Sequence, residues 1–264
     1  MKGLISLSLV VLGLVMTTNL FATHNRAGEI TFKQLTNLTF EISVITYTQT
    51  SSVQADRDSL YLCFGDGSCQ WVVRSNGQGT VLANDVQSNI YTTTHAYAGL
   101  GTYSISMTDP NRNANILNVN PPYSNQVPFH LETSLTVLNI PFNGMNSTPV
   151  LMIPPIDVGC INQTYTHNPG AYDIDGDSLA YEFIVPLSGI GMSVNNYTFP
   201  NNIGGGVQTL NLDVLSGTLK WDSPQQAGVY NIAFIIKEYR NGALISTMIR
   251  DMQITIEACN NRVP

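Results

Sequence analysis

The sequence predicts an all-β protein. Tyr, Thr, Val and Ile are abundant, and Asn and Gly interrupt the chain at short intervals. After the first 22 residues, no stretch keeps a helical hydrophobic period over three turns, whereas many short runs have strand-like composition. The predicted strands are residues 30–33, 39–46, 59–64, 70–74, 101–107, 129–138, 178–185, 207–213, 218–221, 229–239 and 244–257.

The last two runs form the clearest predicted hairpin. Asn241-Gly242 separates them, and this dipeptide readily adopts the positive backbone angles of a tight turn. Both faces of residues 229–236 are substantially apolar, which is typical of a central strand that is buried on both sides. Trp221, shortly before this hairpin, is predicted to pack in the core.

Chain length and turn composition predict two domains of ordinary size. Residues 141–149 are rich in turn formers, and Pro154-Pro155 follows shortly after them. We therefore expect a first domain at residues 23–145 and a second at residues 146–260. Residues 261–264 are expected to begin a linker or tail.

Residues 1–22 have the pattern of a cleaved secretory signal peptide. A basic start precedes an apolar run at residues 4–15, and Ala22 supplies the small residue expected at the cleavage position. A membrane anchor is the alternative, but the apolar run is shorter than the roughly 20 residues that span a bilayer. We expect a secreted or cell-surface protein, with the periplasm as the alternative, and no transmembrane segment after signal removal.

Charge and cysteine content fit this destination. Only 11% of residues are charged, and the net charge of −7 disfavours nucleic acid as a partner. The four cysteines allow three pairings. We favour Cys63 with Cys69, which would staple a short hairpin, and Cys160 with Cys259, which would contribute about 4–5 kcal/mol by loop closure. Zinc is the alternative, but no CxxC pair or nearby His supports it.

Three carboxylates at alternate positions, Asp173, Asp175 and Asp177, predict a calcium site. Alternate residues of an extended segment point the same way, and Gly176 permits a tight bend. A helix-loop-helix calcium hand is excluded, because that loop needs Gly at position 6 and an acid at position 12, where this chain has Ile184. The alternative is a solvated Asp/Gly turn that binds nothing.

Further calcium ligands are expected from backbone carbonyls and from Asn168 or Glu238. Calcium takes six to eight oxygen ligands, so three aspartates would not complete its shell. Bound calcium would hold together a loop whose like charges otherwise repel one another. The sequence therefore predicts calcium as the one cofactor of the chain.

Catalytic motifs are not found in the sequence. The four His residues form no HExxH pair, and no GxSxG turn occurs. A hydrolase could still assemble carboxylates from distant segments, for instance Asp66 with Asp85. We expect instead that Asp66 orders its own turn, with His95 and Tyr97 packed beside it. The chain is therefore predicted not to be an enzyme.

A carbohydrate- or small-ligand-binding module is the alternative function. Exposed aromatic rings with polar tips form platforms for sugars. Four tyrosines lie in polar, turn-rich settings where such a platform could form: Tyr91, Tyr97, Tyr123 and Tyr197.

Several motifs resemble known surface modules. Phe64-Gly65-Asp66-Gly67-Ser68, followed by His95-Ala96-Tyr97 and residues 101–107, resembles the polycystic-kidney-disease (PKD) type of immunoglobulin-like repeat, although Cys63 stands where that repeat usually has Asp. Residues 167–177, 217–221 and 228–230 resemble a cadherin-like sandwich. The order from Gly28-Glu29-Ile30 through residues 109–113 and 250–254 to residues 259–261 resembles the amino-terminal region of gliding-motility-associated surface proteins of Bacteroidetes.

This resemblance implies two tandem immunoglobulin-like β-sandwich domains in a secreted, non-enzymatic protein. Members of that group are multi-module proteins, often exported by a type IX system and used for adhesion or matrix building. The implied partner is a surface protein or a polysaccharide. Such proteins usually continue into further repeats and a sorting domain, which the present sequence does not reach.

Overall fold

A computed structural model describes residues 25–51 and 57–259 of the chain. The predicted signal peptide at residues 1–22 and the predicted tail at residues 261–264 lie outside these described residues. Strands account for 55% of the structure, so the predicted all-β class is confirmed. Within the described ranges, no helix has the length and apolar character needed to cross a membrane.

The described residues form 19 strands and one α-helical turn, numbered in chain order, and two 3-10 turns at Ser124–Gln126 and Pro200–Asn202. The elements are β1 (Asn25–Gln34), β2 (Thr39–Gln49), β3 (Ser59–Cys63), β4 (Cys69–Val73), β5 (Thr80–Val81), β6 (Val86–Ala96), β7 (Gly101–Asp109), β8 (Phe129–Val137), α1 (Ile140–Asn143), β9 (Val150–Leu151), β10 (Val158–Cys160), β11 (Tyr165–His167), β12 (Ala171–Tyr172), β13 (Ser178–Ile184), β14 (Leu187–Gly189), β15 (Met192–Ser193), β16 (Thr209–Leu212), β17 (Leu219–Asp222), β18 (Gly228–Arg240) and β19 (Ala243–Glu257).

One large sheet contains most of these strands. Its main path is β4-β3-β7-β8-β19-β1-β2-β6-β5, and β18 and β13 continue from the side of β19. Two small sheets, β11-β17-β16 and β12-β9, complete the second half of the chain. The sheet therefore runs without a break from the first half, residues 25–145, into the second half, residues 146–259.

Strand β19 connects the two halves. Along one edge its residues 246–248 pair with β8, residues 251 and 252 pair with β1, and residues 255–257 pair in parallel with β10. Along its other edge it pairs with β18 over the length of the hairpin. The last strand of the second half thus pairs with β8 and then with β1 along one edge, and it joins the strands of the first half to the hairpin of the second.

Two large hydrophobic clusters fill the interior. The first lies between residues 30 and 137, whereas the second combines residues 165–256 with Ala27, Tyr47 and Val86 from the first half. Trp221 is fully buried in the second cluster, as predicted, with its ring 4.8 Å from that of Tyr230. Because main-chain hydrogen bonds and core contacts cross the expected boundary, the arrangement as two tandem immunoglobulin-like sandwiches stays a prediction.

Arg112 forms a buried ion pair with Asp251 of β19. Two of its nitrogens donate to the carboxylate, at 3.1 and 2.6 Å, and further bonds reach the Asn231 side chain and the carbonyls of Pro128 and Leu187. These bonds use all five N–H donors of the guanidinium group. Both charged side chains have no solvent exposure. The pair therefore fixes the long segment between β7 and β8 onto the hairpin.

Arg250, the neighbouring residue on β19, forms the second buried ion pair. Its Nη2 lies 2.7 Å from Oε1 of Glu29 and its Nε lies 3.2 Å from Oε2, so the contact is bidentate. Its Nη1 donates to the carbonyl of Ile153 at 2.8 Å. This second pair fastens β1 and the segment after the first half to the same strand.

Local sequence signals located most strands, but one long strand was missed. The predicted hairpin is confirmed, with Asn241 and Gly242 at φ values of 51° and 80°. Strand β6 is not among the predicted strands, because its residues are mostly Thr, Ser, Asn and Gln. Asn89, which is fully buried and bonds Thr48, occupies an inward position where an apolar residue would have shown the alternation.

Both disulfides in the structure join the cysteines paired in the sequence analysis. Cys63 is bonded to Cys69 across the end of the β3–β4 hairpin. Cys160 of β10 is bonded to Cys259, just beyond β19, and closes a loop with a sequence separation of 99 residues. The second bond therefore fixes the end of β19 against its parallel neighbour.

Removing one partner of the buried network should be costly. Arg112→Ala would leave Asp251 charged and unpaired in a solvent-free position, so we expect a loss of about 3–5 kcal/mol in the free energy of unfolding. The control is Lys237→Ala, which removes an ion pair with the exposed Glu182 and should cost about 1 kcal/mol or less. Urea unfolding of both variants measures the difference, and equal losses would contradict the role given to Arg112.

Candidate metal centre

The acidic segment forms a folded loop between β12 and β13. Oδ1 of Asp173 accepts hydrogen bonds from the backbone amides of Asp175 and Asp177, each at 2.9 Å. Gly176 has a φ of 84°, which favours glycine. The segment is therefore bent back on Asp173, and its carboxylates do not alternate along an extended strand as the sequence analysis assumed.

Three carboxylates converge beside this loop. Asp173, Asp177 and Glu238 each place one oxygen within 4.8 Å of the others. Glu238 comes from β18 and lies opposite Leu179 in the pairing of β18 with β13. This register explains the cluster, because the loop that precedes β13 must then lie next to the end of β18.

Asp175 and Asn168 have other partners. Oδ2 of Asp175 accepts the backbone amide of Ser147 at 2.7 Å, so this carboxylate holds the segment that follows α1. The amide group of Asn168 donates to the carbonyl of Ser216 and to the hydroxyl of Thr218. Of the ligands considered from sequence, the structure thus brings together Asp173, Asp177 and Glu238 and places the other two outside this group.

Two buried oxygens of the cluster lack hydrogen-bond partners among the described residues. They are Oδ2 of Asp173 and Oε1 of Glu238. Glu238 has no solvent exposure, and its other oxygen accepts the hydroxyl of Ser246. A buried carboxylate without a partner is costly, so such a group binds either a proton or a cation.

Burial controls the protonation of the cluster. It raises the pKa of Glu238 to about 8, and the nearby charge of Asp173 adds to this effect. Burial also raises the pKa of Asp173, against the two backbone hydrogen bonds that favour its ionised form. Without a bound cation, Glu238 therefore holds its proton at neutral pH.

Arg240 supplies part of the positive charge that the cluster needs. It makes a bidentate contact with Asp177, with Nε 2.7 Å from Oδ1. It also donates to the carbonyls of Asn143 and Met145 and to the side chain of Asn146. When all three acids of the cluster are ionised, one arginine leaves two negative charges without compensation.

The donor set fits a hard divalent cation. All three groups are carboxylates, which calcium prefers, whereas zinc sites are built largely from Cys and His. Asp173 and Glu238 offer oxygens without other partners, and Asp177 would share its oxygens with Arg240. The remaining positions of a calcium shell would fall to water or backbone carbonyls. These residues are thus compatible with calcium.

The carboxylate pair considered for hydrolysis does not form. Asp66 accepts hydrogen bonds from the amide and hydroxyl of Ser68 and from Nε2 of His95, at 2.9, 2.6 and 2.7 Å. Asp85 instead binds Ser51 and directly precedes β6, whereas His95 lies at the far end of β6. At about 3.3 Å per residue the two acids are roughly 30 Å apart, too far for paired catalysis.

Asp66 orders its own turn, as predicted. Burial opposes its ionisation, but the hydrogen bonds from Ser68 and His95 outweigh this effect and lower its pKa to about 2. The His95 ring stacks on Phe64 at 3.9 Å and meets Tyr97 edge-on at 4.7 Å. The GDG turn is therefore a structural element of the first half.

The tyrosines proposed as a sugar platform are mostly inside the protein. Tyr91 and Tyr97 are 1% and 2% exposed, and Tyr197 donates its hydroxyl to the carbonyl of Asn231. Of these four, Tyr123 alone is exposed. The polar residues around these tyrosines in the sequence do not indicate exposure. Tyr91 and Tyr97 are buried, and their hydroxyl groups donate to main-chain carbonyls within the fold.

Comparison with known proteins identifies no family for this chain. No protein-family model matches it, and no curated protein matches it either. The resemblance to gliding-motility-associated surface proteins therefore stays a prediction. Inferences about function rest on the residues and geometry of the sites themselves.

Without divalent cations, Glu238 should make the stability of the protein fall as pH rises. The folded state keeps this proton up to about pH 8, whereas the unfolded state loses it near the ordinary value of 4.5. The stabilising contribution is complete below pH 4.5 and is lost as pH rises through 8. Glu238→Gln should remove this decline, which we expect to be on the order of 1–3 kcal/mol.

The measurement is the free energy of unfolding in chelator at about pH 5 and about pH 8.5. Glu257→Gln is the control, because this residue is an exposed carboxylate on the same hairpin. From about pH 5 to about pH 8.5 the free energy of unfolding should fall less in Glu238→Gln than in the wild type. In Glu257→Gln it should fall as much as in the wild type. Parallel pH profiles for all three proteins would show that Glu238 does not titrate as described.

Proposed function

We propose that this chain is a non-enzymatic secreted or cell-surface module, used for adhesion or as a structural spacer and stiffened by calcium. The observation that carries the proposal is the convergence of Asp173, Asp177 and Glu238, with a fully buried glutamate oxygen that has no partner among the described residues. Calcium would replace the proton of Glu238 and neutralise the cluster.

The position of the cluster supports a mechanical role. Glu238 belongs to β18, whereas Asp173 and Asp177 belong to the loop before β13. Through Arg240 and Asp175, the same group of side chains holds residues 143–147, which connect the two halves. A cation bound here would therefore fasten the loop, the hairpin and the connector to one another.

Burial supports a structural role over a catalytic one. Glu238 has no solvent exposure, and Ser246 occupies its second oxygen. A catalytic carboxylate must reach a substrate, whereas a structural metal ligand is favoured by exclusion of water. The two disulfides fit an extracellular or periplasmic compartment. The sequence resemblance to adhesive surface proteins points the same way.

Calcium should raise the melting temperature of the protein. A ligand at about 100 times its dissociation constant stabilises the folded state by about 2.7 kcal/mol. For a chain of this size, that corresponds to a shift of about 5–10 °C. Thermal unfolding in excess calcium chloride and in chelator measures the shift, and magnesium chloride tests whether a smaller, octahedral ion substitutes.

Variants separate the cluster from the neighbouring acid. Asp173→Asn and Glu238→Gln should abolish most of the calcium-dependent shift, whereas Asp175→Asn should keep it, because Asp175 binds the amide of Ser147. Absence of any shift in the wild type would refute the calcium proposal. Loss of the shift in both Asp173→Asn and Asp175→Asn, with the shift kept in Glu238→Gln, would support the extended arrangement of the three aspartates expected from sequence.

A further inference from the structure

Two large aromatic side chains are exposed side by side on the β3–β4 hairpin. Tyr61 and Trp71 are directly opposite one another across the two strands. Their side chains are 47% and 67% exposed, and their ring centroids lie 5.3 Å apart with an interplanar angle of 51°. By contrast, Trp221 is fully buried. Neither exposed residue is distinguished by its sequence surroundings.

The hairpin below this pair is held rigidly. Leu60, Leu62 and Val72 point inward and are 6%, 0% and 4% exposed. The Cys63–Cys69 disulfide closes the hairpin two residues beyond the aromatic pair, at positions of the same face. The rings therefore lie on a surface that is already ordered. Binding of a ligand there costs little conformational entropy of the protein.

A shallow cavity of about 240 Å³ opens beside the rings. Polar groups line it together with Tyr61 and Trp71, and they include Arg57 and Thr108. Arg57 is held in place by Asp109, with nitrogen to oxygen distances of 3.3 and 3.2 Å. Asp109 is itself buried and accepts a further hydrogen bond from Asn25. The guanidinium group of Arg57 therefore has a fixed orientation.

This combination matches the chemistry of a sugar. A pyranose ring has an apolar face of C–H groups and a rim of hydroxyl groups. The apolar face packs on aromatic rings, and the rim needs nearby donors and acceptors. A cross-strand aromatic pair also stabilises its hairpin, but that role is compatible with burial and does not require two-thirds of an indole in water.

We propose that Tyr61 and Trp71 form a binding platform for a polysaccharide, with one pyranose ring stacked on the aromatic pair. In the adjoining cavity Arg57 donates to the hydroxyl groups of the sugar, and the Thr108 hydroxyl donates to them or accepts from them. The site lies in the first half of the chain, on strands that do not contribute to the carboxylate cluster. This binding therefore goes beyond the structural role proposed above and does not require calcium.

Affinity electrophoresis tests the platform. The full chain after signal removal is run in native gels that contain a neutral β-glucan, a xylan or polygalacturonate, each in calcium and in chelator. We expect at least one polysaccharide to retard the wild type in both conditions. Trp71→Ala and Tyr61→Ala should weaken this binding at least about tenfold, whereas Trp71→Phe should retain part of it.

Tyr123→Ala is the matched control, because Tyr123 is 56% exposed, belongs to the segment between β7 and β8, and does not line the cavity beside the aromatic pair. It should migrate like the wild type. Emission from the buried Trp221 reports whether the Trp71 variants are folded. The proposal is overturned if no polysaccharide retards the wild type, or if Trp71→Ala is retarded as strongly as Tyr123→Ala. Retardation that depends on calcium would also exclude it and would assign binding to the carboxylate cluster.

Discussion

The structure depends on two opposite charges that are adjacent in sequence and point to opposite faces of one strand. Arg250 and Asp251 of β19 each meet a buried counter-charge from the first half of the chain, Glu29 in one case and Arg112 in the other. Successive side chains of a strand point to opposite faces of the sheet. A shift of β19 by one residue along its neighbours would therefore turn both side chains away from their partners and break both ion pairs. The two ion pairs therefore fix the register in which the halves are joined.

The cluster of Asp173, Asp177 and Glu238 differs from this network in how completely its polar atoms are hydrogen-bonded. Arg112 has a partner for every donor, and its carboxylate partner is equally engaged, so that network needs no ligand. Glu238 lies in an equally dry position but keeps one oxygen without a partner among the described residues. A buried carboxylate oxygen without a partner is costly when it is charged, so this group binds either a proton or a cation. This contrast, more than the number of acids, distinguishes the cluster from a structural salt bridge.

Features encoded by neighbouring residues could be predicted from the sequence, and features that depend on strand register could not. The Asn241-Gly242 turn is local, so its hairpin was located correctly. The acidic segment was also recognised, but its bend around Asp173 and its contact with Glu238 depend on how β13 pairs with β18. The exposed Trp71 carried no signal in its own sequence surroundings, because inward and outward positions of a short strand look alike when both are apolar.

The central position of β19 also determines when the chain can fold. Until residues 246–252 are available, β1 and β8 remain open edges whose main-chain groups lack partners. The sheet of the first half therefore stays incomplete while the second half is being synthesised, and its native pairing must wait for contacts of very long sequence separation. The contacts that join the two halves are therefore among the last that the chain can make, whereas a string of independent modules could complete each sheet in turn.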